Sequence, residues 1–354
     1  LGEAPLPDSS ALLPLLKDES TRVQALAALA LSRRPLADAT PELINILAKN
    51  NNYDPYLRHA ATMGLIACAG ADNIAALRTH ESAAVRLASV VALRRLNDDR
   101  LVQLVTDQDP KVSDEAIRAI HDTSMESVRP ALAALLEDYA TDGPGRPLTR
   151  MMLRRLIYSA YRLGGEKNIA RLTKVAANQK LDQNERLDIV RLLSIWDTPH
   201  VVDQSIGKHH PLPPRDASGT KAALAANIEP LLSADGKILG KALELTLQYG
   251  LSMDSLDSGS LTRLVRDEKQ DGSTRAEALK LLLAGSPANA TEILGEMAKS
   301  NNDQLATSAL KLASERDPAA NVAALKGALA SKSVSRRQTA WKITTKLPAE
   351  HAVP

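Results

Sequence analysis

The sequence predicts an all-α protein built as an α-solenoid, a stack of about ten helix pairs of roughly 35 residues each. Three observations carry that prediction. A polar turn followed by a helix with apolar residues at helical spacing recurs along the chain. Alternating Val/Ile/Thr/Tyr runs bounded by hairpin turns are nearly absent. The 354 residues include 0 Phe, 2 Trp and 6 Tyr, so the core is drawn from Leu, Ala, Val and Ile. That palette suits thin layers of closely approaching helices better than one thick core.

The repeat is visible by comparing segments 15–29, 80–93 and 107–120. In each, a polar turn meets an apolar anchor and then a helix. From Val85, residues Ala88, Ser89, Ala92 and Leu93 fall on one face at i+3, i+4, i+7 and i+8. Shorter helices alternate with these, over 72–77 and 98–105, each opening on an Asp that can cap it. Asp109-Pro110 is a helix start, with Asp capping and Pro at the first helical position. Further long helices are expected over 57–69, 148–163, 182–196, 237–250, 273–284, 303–313 and 334–346.

Two stretches break the period. Segment 141–147 is rich in Gly and Pro. Segment 196–216 holds Pro199, Pro211, Pro213 and Pro214, which forbid a continuous helix. Long loops in compact arrays are functional or are joints. The expected organisation is therefore repeats over 1–196, a Pro-rich connecting loop over 197–219 and a second set of repeats over 220–354. Trp196, at the mouth of the loop, is expected to be buried and to pin an ordered excursion. The opening Pro5-Leu6-Pro7-Asp8 reads as a linker entering an array, as in a piece of a longer protein, and no signal peptide or C-terminal address is recognisable.

Composition narrows the function. Lys+Arg is 44 and Asp+Glu is 42, a formal charge of +2, which gives no global field for nucleic acid or an acidic membrane. No apolar run approaches ~18 residues, so no transmembrane helix is expected. One cysteine excludes a disulfide framework and a cysteine-rich metal site. That residue, Cys68, lies in an apolar run and reads as a buried small hydrophobe. No nucleophile elbow, Walker loop, dinucleotide fingerprint or zinc-protease helix occurs.

The recurring D-x-x-V-R-x-x-A-x-x-A-L pattern resembles that of the HEAT family, strongly over the first four units and more weakly after Tyr139. Two stretches carry a narrower likeness. Asn52-Tyr53-Asp54-Pro55-Tyr56-Leu57-Arg58-His59-Ala60, and Trp196-Asp197-x-Pro199 followed by Asp203, Gly207, Pro211 and Arg215, are similar to motifs in the helical-repeat part of large membrane-bound or secreted dehydrogenases of planctomycetes and verrucomicrobia. In those proteins a sugar-dehydrogenase-like β-propeller precedes the repeats and a cytochrome c domain often follows. The resemblance implies a periplasmic or cell-surface setting and a connecting role beside redox domains. The chain departs from the redox parts, since it holds no Cys-x-x-Cys-His for covalent haem and no propeller strands.

Three groups of side chains stand out. His200, Asp203, His209 and His210, with Asp216, gather in one loop and offer zinc-ligand chemistry. Their spacing is that of a solvated loop, in which Asp203, Arg215 and Asp216 hold the shape through hydrogen bonds and His209 and His210 face solvent. Arg58 and His59 open a helix within the first narrower motif. There a partner contact competes with an Arg58–Asp54 pair and a His59 facing the next repeat. Arg146, Arg150, Arg154, Arg155 and Arg162 cluster about one helix, either to recognise an anion or as a solvated face paired with Glu137 and Asp138.

The expected function is a non-catalytic scaffold that positions neighbouring domains or binds a protein, with no cofactor, no metal and no nucleic-acid partner. The alternative is a catalytic or cofactor-handling helical domain, as a dehydrogenase subunit or in the manner of a bilin lyase.

Overall fold

A computed structural model of the chain describes residues 8–141, 148–234 and 236–347. Among them every regular element is helical except one pair of two-residue strands. The chain is all-α. It divides into two compact units, and neither is a single stretch of sequence. The first comprises Leu1–Leu136, Pro144–Leu163 and Val202–His210; the second comprises Glu137–Gly143, Gly164–Val201 and Pro211–Pro354. The partition is thus interleaved, where the sequence suggests a linear cut at 197–219.

The first unit runs through α1 (Thr21–Arg33), α2 (Thr40–Asn50), α3 (Pro55–Cys68), α4 (Gly70–Ala76), α5 (Ala83–Leu96), α6 (Pro110–Asp122) and α7 (Arg129–Ala134). After α8 (Leu136–Tyr139), whose last three residues belong to the second unit, α9 (Arg150–Leu163) completes the helices of the first. Neighbours in the sequence are neighbours in space. α1 packs on α3, α3 on α5, α5 on α6 and α6 on α9, while α2, α4 and α7 fill the alternate positions. Small residues permit the close approach. A Cβ added at Gly64 on α3 would lie 3.0 Å from the Ala28 carbonyl oxygen on α1.

The caps explain where these helices begin. The Asp54 and Asp109 carboxylates each accept two backbone N–H bonds at the starts of α3 and α6, both with Pro at the first position. Two sequence expectations change here. Asp72 lies inside the first turn of α4 and does not cap it. The segment opened by Asp98 is a 3-10 helix, Asp99–Leu104, with Asp98 accepting from the Arg100 N–H. Folded against this unit is the pair β1 (Val202–Asp203) and β2 (Lys208–His209), antiparallel with Val202 opposite His209.

The second unit follows the same rule through α10 (Glu166–Ala177), α11 (Gln183–Ser194), α12 (Ala217–Asn227), α13 (Glu229–Leu232), α14 (Gly236–Tyr249), α15 (Ser258–Arg266), α16 (Gly272–Ala284), α17 (Ala290–Ala298), α18 (Asp303–Arg316), α19 (Val322–Leu329) and α20 (Val334–Thr344). α11, α14, α16, α18 and α20 pack in succession, and α15, α17 and α19 pair with the helix that follows each. Leu243, Leu279, Leu305 and their neighbours form its core.

The repeat arginine does the same job at three positions. Arg86 donates to the His80 and Glu81 carbonyls at 2.8 and 3.0 Å and pairs bidentately with Asp107. In the second unit Arg186 donates to the Ala176 carbonyl at 2.7 Å, and Arg275 to the Val265 carbonyl at 2.8 Å. Each satisfies orphan carbonyls at the end of the preceding turn or helix. Asp182 and Asp271 cap the helices that carry Arg186 and Arg275. The repeat therefore persists beyond Tyr139 as D-x-x-x-R, with the Val replaced by Glu185 and Thr274.

Candidate functional site

The densest polar cluster in the first unit centres on His121, near the end of α6. From Ile117 it is one turn along the buried face of that helix, so packing carries it inward. Its Nδ1 lies 3.0 Å from the Ser159 hydroxyl on α9 and 3.2 Å from Nη1 of Arg129 on α7. Its Nε2 lies 2.7 Å from the hydroxyl of Ser205, in the β1–β2 turn, and 3.5 Å from Oδ2 of Asp203, at the end of β1. Arg129 is fully buried and donates twice to Glu126, at 2.7 and 2.8 Å. Arg162, half-buried near the end of α9, donates to the His210 carbonyl at 3.0 Å and stands 3.6 Å from Asp203.

These contacts assign the protons. A guanidinium can only donate, so Nδ1 is the acceptor and the ring is the neutral Nε2–H tautomer. Nε2–H then donates to Ser205, whose own proton goes to Asp203 at 2.5 Å. Burial pushes the proton affinity of His121 down, and Arg129 pushes the same way against the opposing pull of Asp203. Burial raises the Asp203 carboxyl, but the nearby His121 ring and the hydrogen bonds from the Ser205 hydroxyl and backbone N–H outweigh it and hold Asp203 well below the usual carboxylate range. Ser205 therefore meets a hydrogen-bond donor on the imidazole and a weakly basic carboxylate. That is the geometry of a clasp holding a loop, not of an activated hydroxyl.

The rest of the strap is tied to the same unit. Arg154 donates to the Gln204 carbonyl at 3.3 Å and its guanidinium lies 5.7 Å from the Tyr158 ring centroid. Lys208 donates to the Asp122 carbonyl at 3.2 Å. Within the turn, the Gly207 N–H donates to the Asp203 carbonyl at 2.8 Å, with Gly207 at φ +69°.

The sequence-predicted groups are thus partly brought together and partly dispersed. Asp203 and the His210 backbone enter the cluster, whereas His200 and His209 are exposed. Among the described residues no group of three or more His, Cys, Asp or Glu side chains is placed to hold a metal. His210 is half-buried rather than fully solvated, and its carbonyl is used. Arg155 is buried and bidentate with Asp122 at 2.9 Å, where the sequence suggests Glu137 or Asp138. Glu137 instead accepts from Arg171. Arg150 is exposed, and Arg146 lies outside the described residues. His121 and Arg129 were not singled out from sequence. Their signal was an ionisable residue at a core position of a helix face.

In the second unit the Trp196 motif is structural. Trp196 is 2% exposed. The Arg215 guanidinium lies 4.5 Å from its ring centroid and donates to its carbonyl at 2.9 Å. The Arg215 N–H donates to the Asp197 carbonyl, and Asp197 accepts from the Tyr249 hydroxyl at 2.9 Å. Asp216 caps α12. Cys68 is buried, and burial raises its thiol pKa.

The Asn52–His59 corner in the first unit is different in kind. Asn50 and Asp54 exchange hydrogen bonds at 2.9 and 3.0 Å, and Asp54 caps α3. On this locked corner Tyr53 is 93% and Tyr56 83% exposed, His59 is exposed and Arg58 is half-buried. His59 therefore faces away from the repeats, not toward the next one.

The helices and these structural clusters define an all-α protein of helical-repeat type. No known family description matches the chain, and no curated protein matches it. Among solved structures it is similar to three engineered proteins known from crystal structures. One is 17% identical with a TM-score of 0.38, covering 96% of this chain and 98% of that one. The others are 15% and 16% identical, with TM-scores of 0.16 and 0.12, over 96% of this chain and 95% and 97% of theirs. Scores this low assign nothing, and the fold rests on the helices themselves. No helix among the described residues is long and apolar enough to cross a membrane.

Proposed function

We propose that the chain is an α-solenoid scaffold that holds a protein partner or a neighbouring domain, with the Asn52–His59 corner as a contact surface. The observation that carries this reading is the exposure of Tyr53 and Tyr56 on a rigid corner. Tyrosine supplies a large amphipathic contact at low entropic cost, and a preordered backbone lowers that cost further. The likeness of the 52–60 and 196–215 segments to the repeats of extracytoplasmic dehydrogenases supports a setting beside redox domains.

The test uses the immobilised chain in an extract of its source organism. The parent is expected to retain a defined set of proteins that Tyr53→Ser/Tyr56→Ser does not. Both side chains are solvent-facing, so the double variant should melt within about 0.5 kcal/mol of the parent. An identical retained set with both chains would remove the corner from the reading.

A further inference from the structure

We infer that the groove between α18 and α20 docks an acidic amphipathic helix of a partner protein, an inference that rests on the scaffold reading above. The groove measures about 450 Å³. Lys311 on α18 and Lys342 and Lys346 beside it on and after α20 line its walls, and all three are exposed. No carboxylate among the described residues pairs with their ammonium groups, and the one acid on the groove is Glu315. Ile343 and Leu347, both half-buried, line the groove among polar side chains such as Ser335, Gln338 and Thr339 and continue the cluster of Leu310, Leu325, Ala328 and Ala340.

The side chains at the end of α20 select an amphipathic helix as the occupant. Lys342 and Ile343 lie in the last turn of α20, and Lys346 and Leu347 follow in the turn that leaves it, where the Lys346 N–H donates to the Ile343 carbonyl at 2.9 Å, so an apolar pair lies beside a basic pair on the groove. A helix with Leu at i, i+3 and i+4 and Glu on the flank is complementary to both pairs at once. α20 itself carries Arg336, Arg337 and Lys342 and no Asp or Glu. Arg336 is spent on Asp303, which leaves the lysines as the unpaired cations at the groove among the described residues. A wholly polar acidic chain would leave Ile343 and Leu347 uncovered.

The probe is a capped, dye-labelled Leu/Glu peptide of about 18 residues, five turns of helix, titrated with the full chain at low salt and read by its fluorescence anisotropy. Saturable binding is expected, weakening as salt rises. A scrambled peptide of the same composition, and Lys342→Glu/Lys346→Glu tested with the original peptide, should each bind about tenfold more weakly. Lys311→Glu gives the same test on the other wall, and all variants should keep the parent's melting curve because the lysines are exposed.

Absence of binding, equal binding of the scrambled peptide, or an unchanged affinity in both lysine variants would overturn the inference. So would tighter binding, through the same lysines, of a short DNA duplex or of vesicles rich in anionic lipid; either would reassign the groove to that ligand. If the peptide fails while the tyrosine-dependent capture succeeds, the groove inference alone falls. If the capture fails while the peptide binds, the corner falls and the groove stands.

Discussion

Trp196 shows what a single side chain contributes here. It is closed in by the helices of its unit and by Arg215, which caps its face and its carbonyl together. Trp196→Ala should cost about 3–5 kcal/mol, read as a lowered urea midpoint, and should expose the following Pro-rich segment to protease. An unchanged midpoint would mean that the ring does not pin the loop. A neighbouring position gives a second test. Gly164 has φ +69°, and a Cβ there would lie 3.0 Å from Arg215 Nε. Gly164→Ala should destabilise by about 1–2 kcal/mol from the left-handed backbone alone, with displacement of Arg215 adding to it. The same substitution at Gly295, which has no positive φ and meets nothing within 4 Å, should stabilise α17 slightly.

At the scale of elements, caps and repeat arginines set where each helix begins and what closes the one before it. Asp109→Ala removes both carboxylate bonds to the first turn of α6 and should cost about 1 kcal/mol by thermal melting, whereas Asp109→Asn should retain most of the stability. An equal loss in both variants would assign the effect to charge rather than to capping. Much of this was legible beforehand. Polar turns followed by apolar faces placed the long helices within a few residues, because the 3.6-residue period is local physics. The clasp was less legible. Asp203 lies 82 positions from His121, and nothing in local propensity brings those two residues together. What could be read was a histidine on the buried face of α6 and an arginine before Pro130, each of which demands partners once buried. The arginine repeat after Tyr139 was hidden because Glu185 and Thr274 replaced the expected Val while Arg186 and Arg275 kept their task.

Across the whole molecule, the placement of titratable and fluorescent groups makes the first unit's response to acid separately readable. His121 is held neutral, below its ordinary value of 6.5, so beneath about that pH the unfolded chain binds the extra proton and the folded one does not. Stability is then full above that pH and falls as pH drops below it. His210, lowered by burial and by Arg162, adds to the same slope. Asp203 adds a further loss at lower pH, where the unfolded carboxyl takes a proton before the folded one. His121→Gln should flatten the dependence of the urea midpoint between pH 7.5 and 5.5, roughly the range of histidine titration, without abolishing it. Both tryptophans lie in the second unit, so on acidification helical ellipticity should decline before tryptophan emission shifts. Coincident curves would show that the units unfold together. The strap at 202–210 also carries a consequence for biosynthesis. The first unit owns a segment that leaves the ribosome well after α9, the last of its helices. Until then His121 and Arg162 stand without Ser205, Asp203 and the His210 carbonyl. The nascent chain must leave those groups to water while α10 and α11 emerge, and closing so long a loop is slow compared with local helix formation. Completion of the first unit is thereby timed to the translation of part of the second.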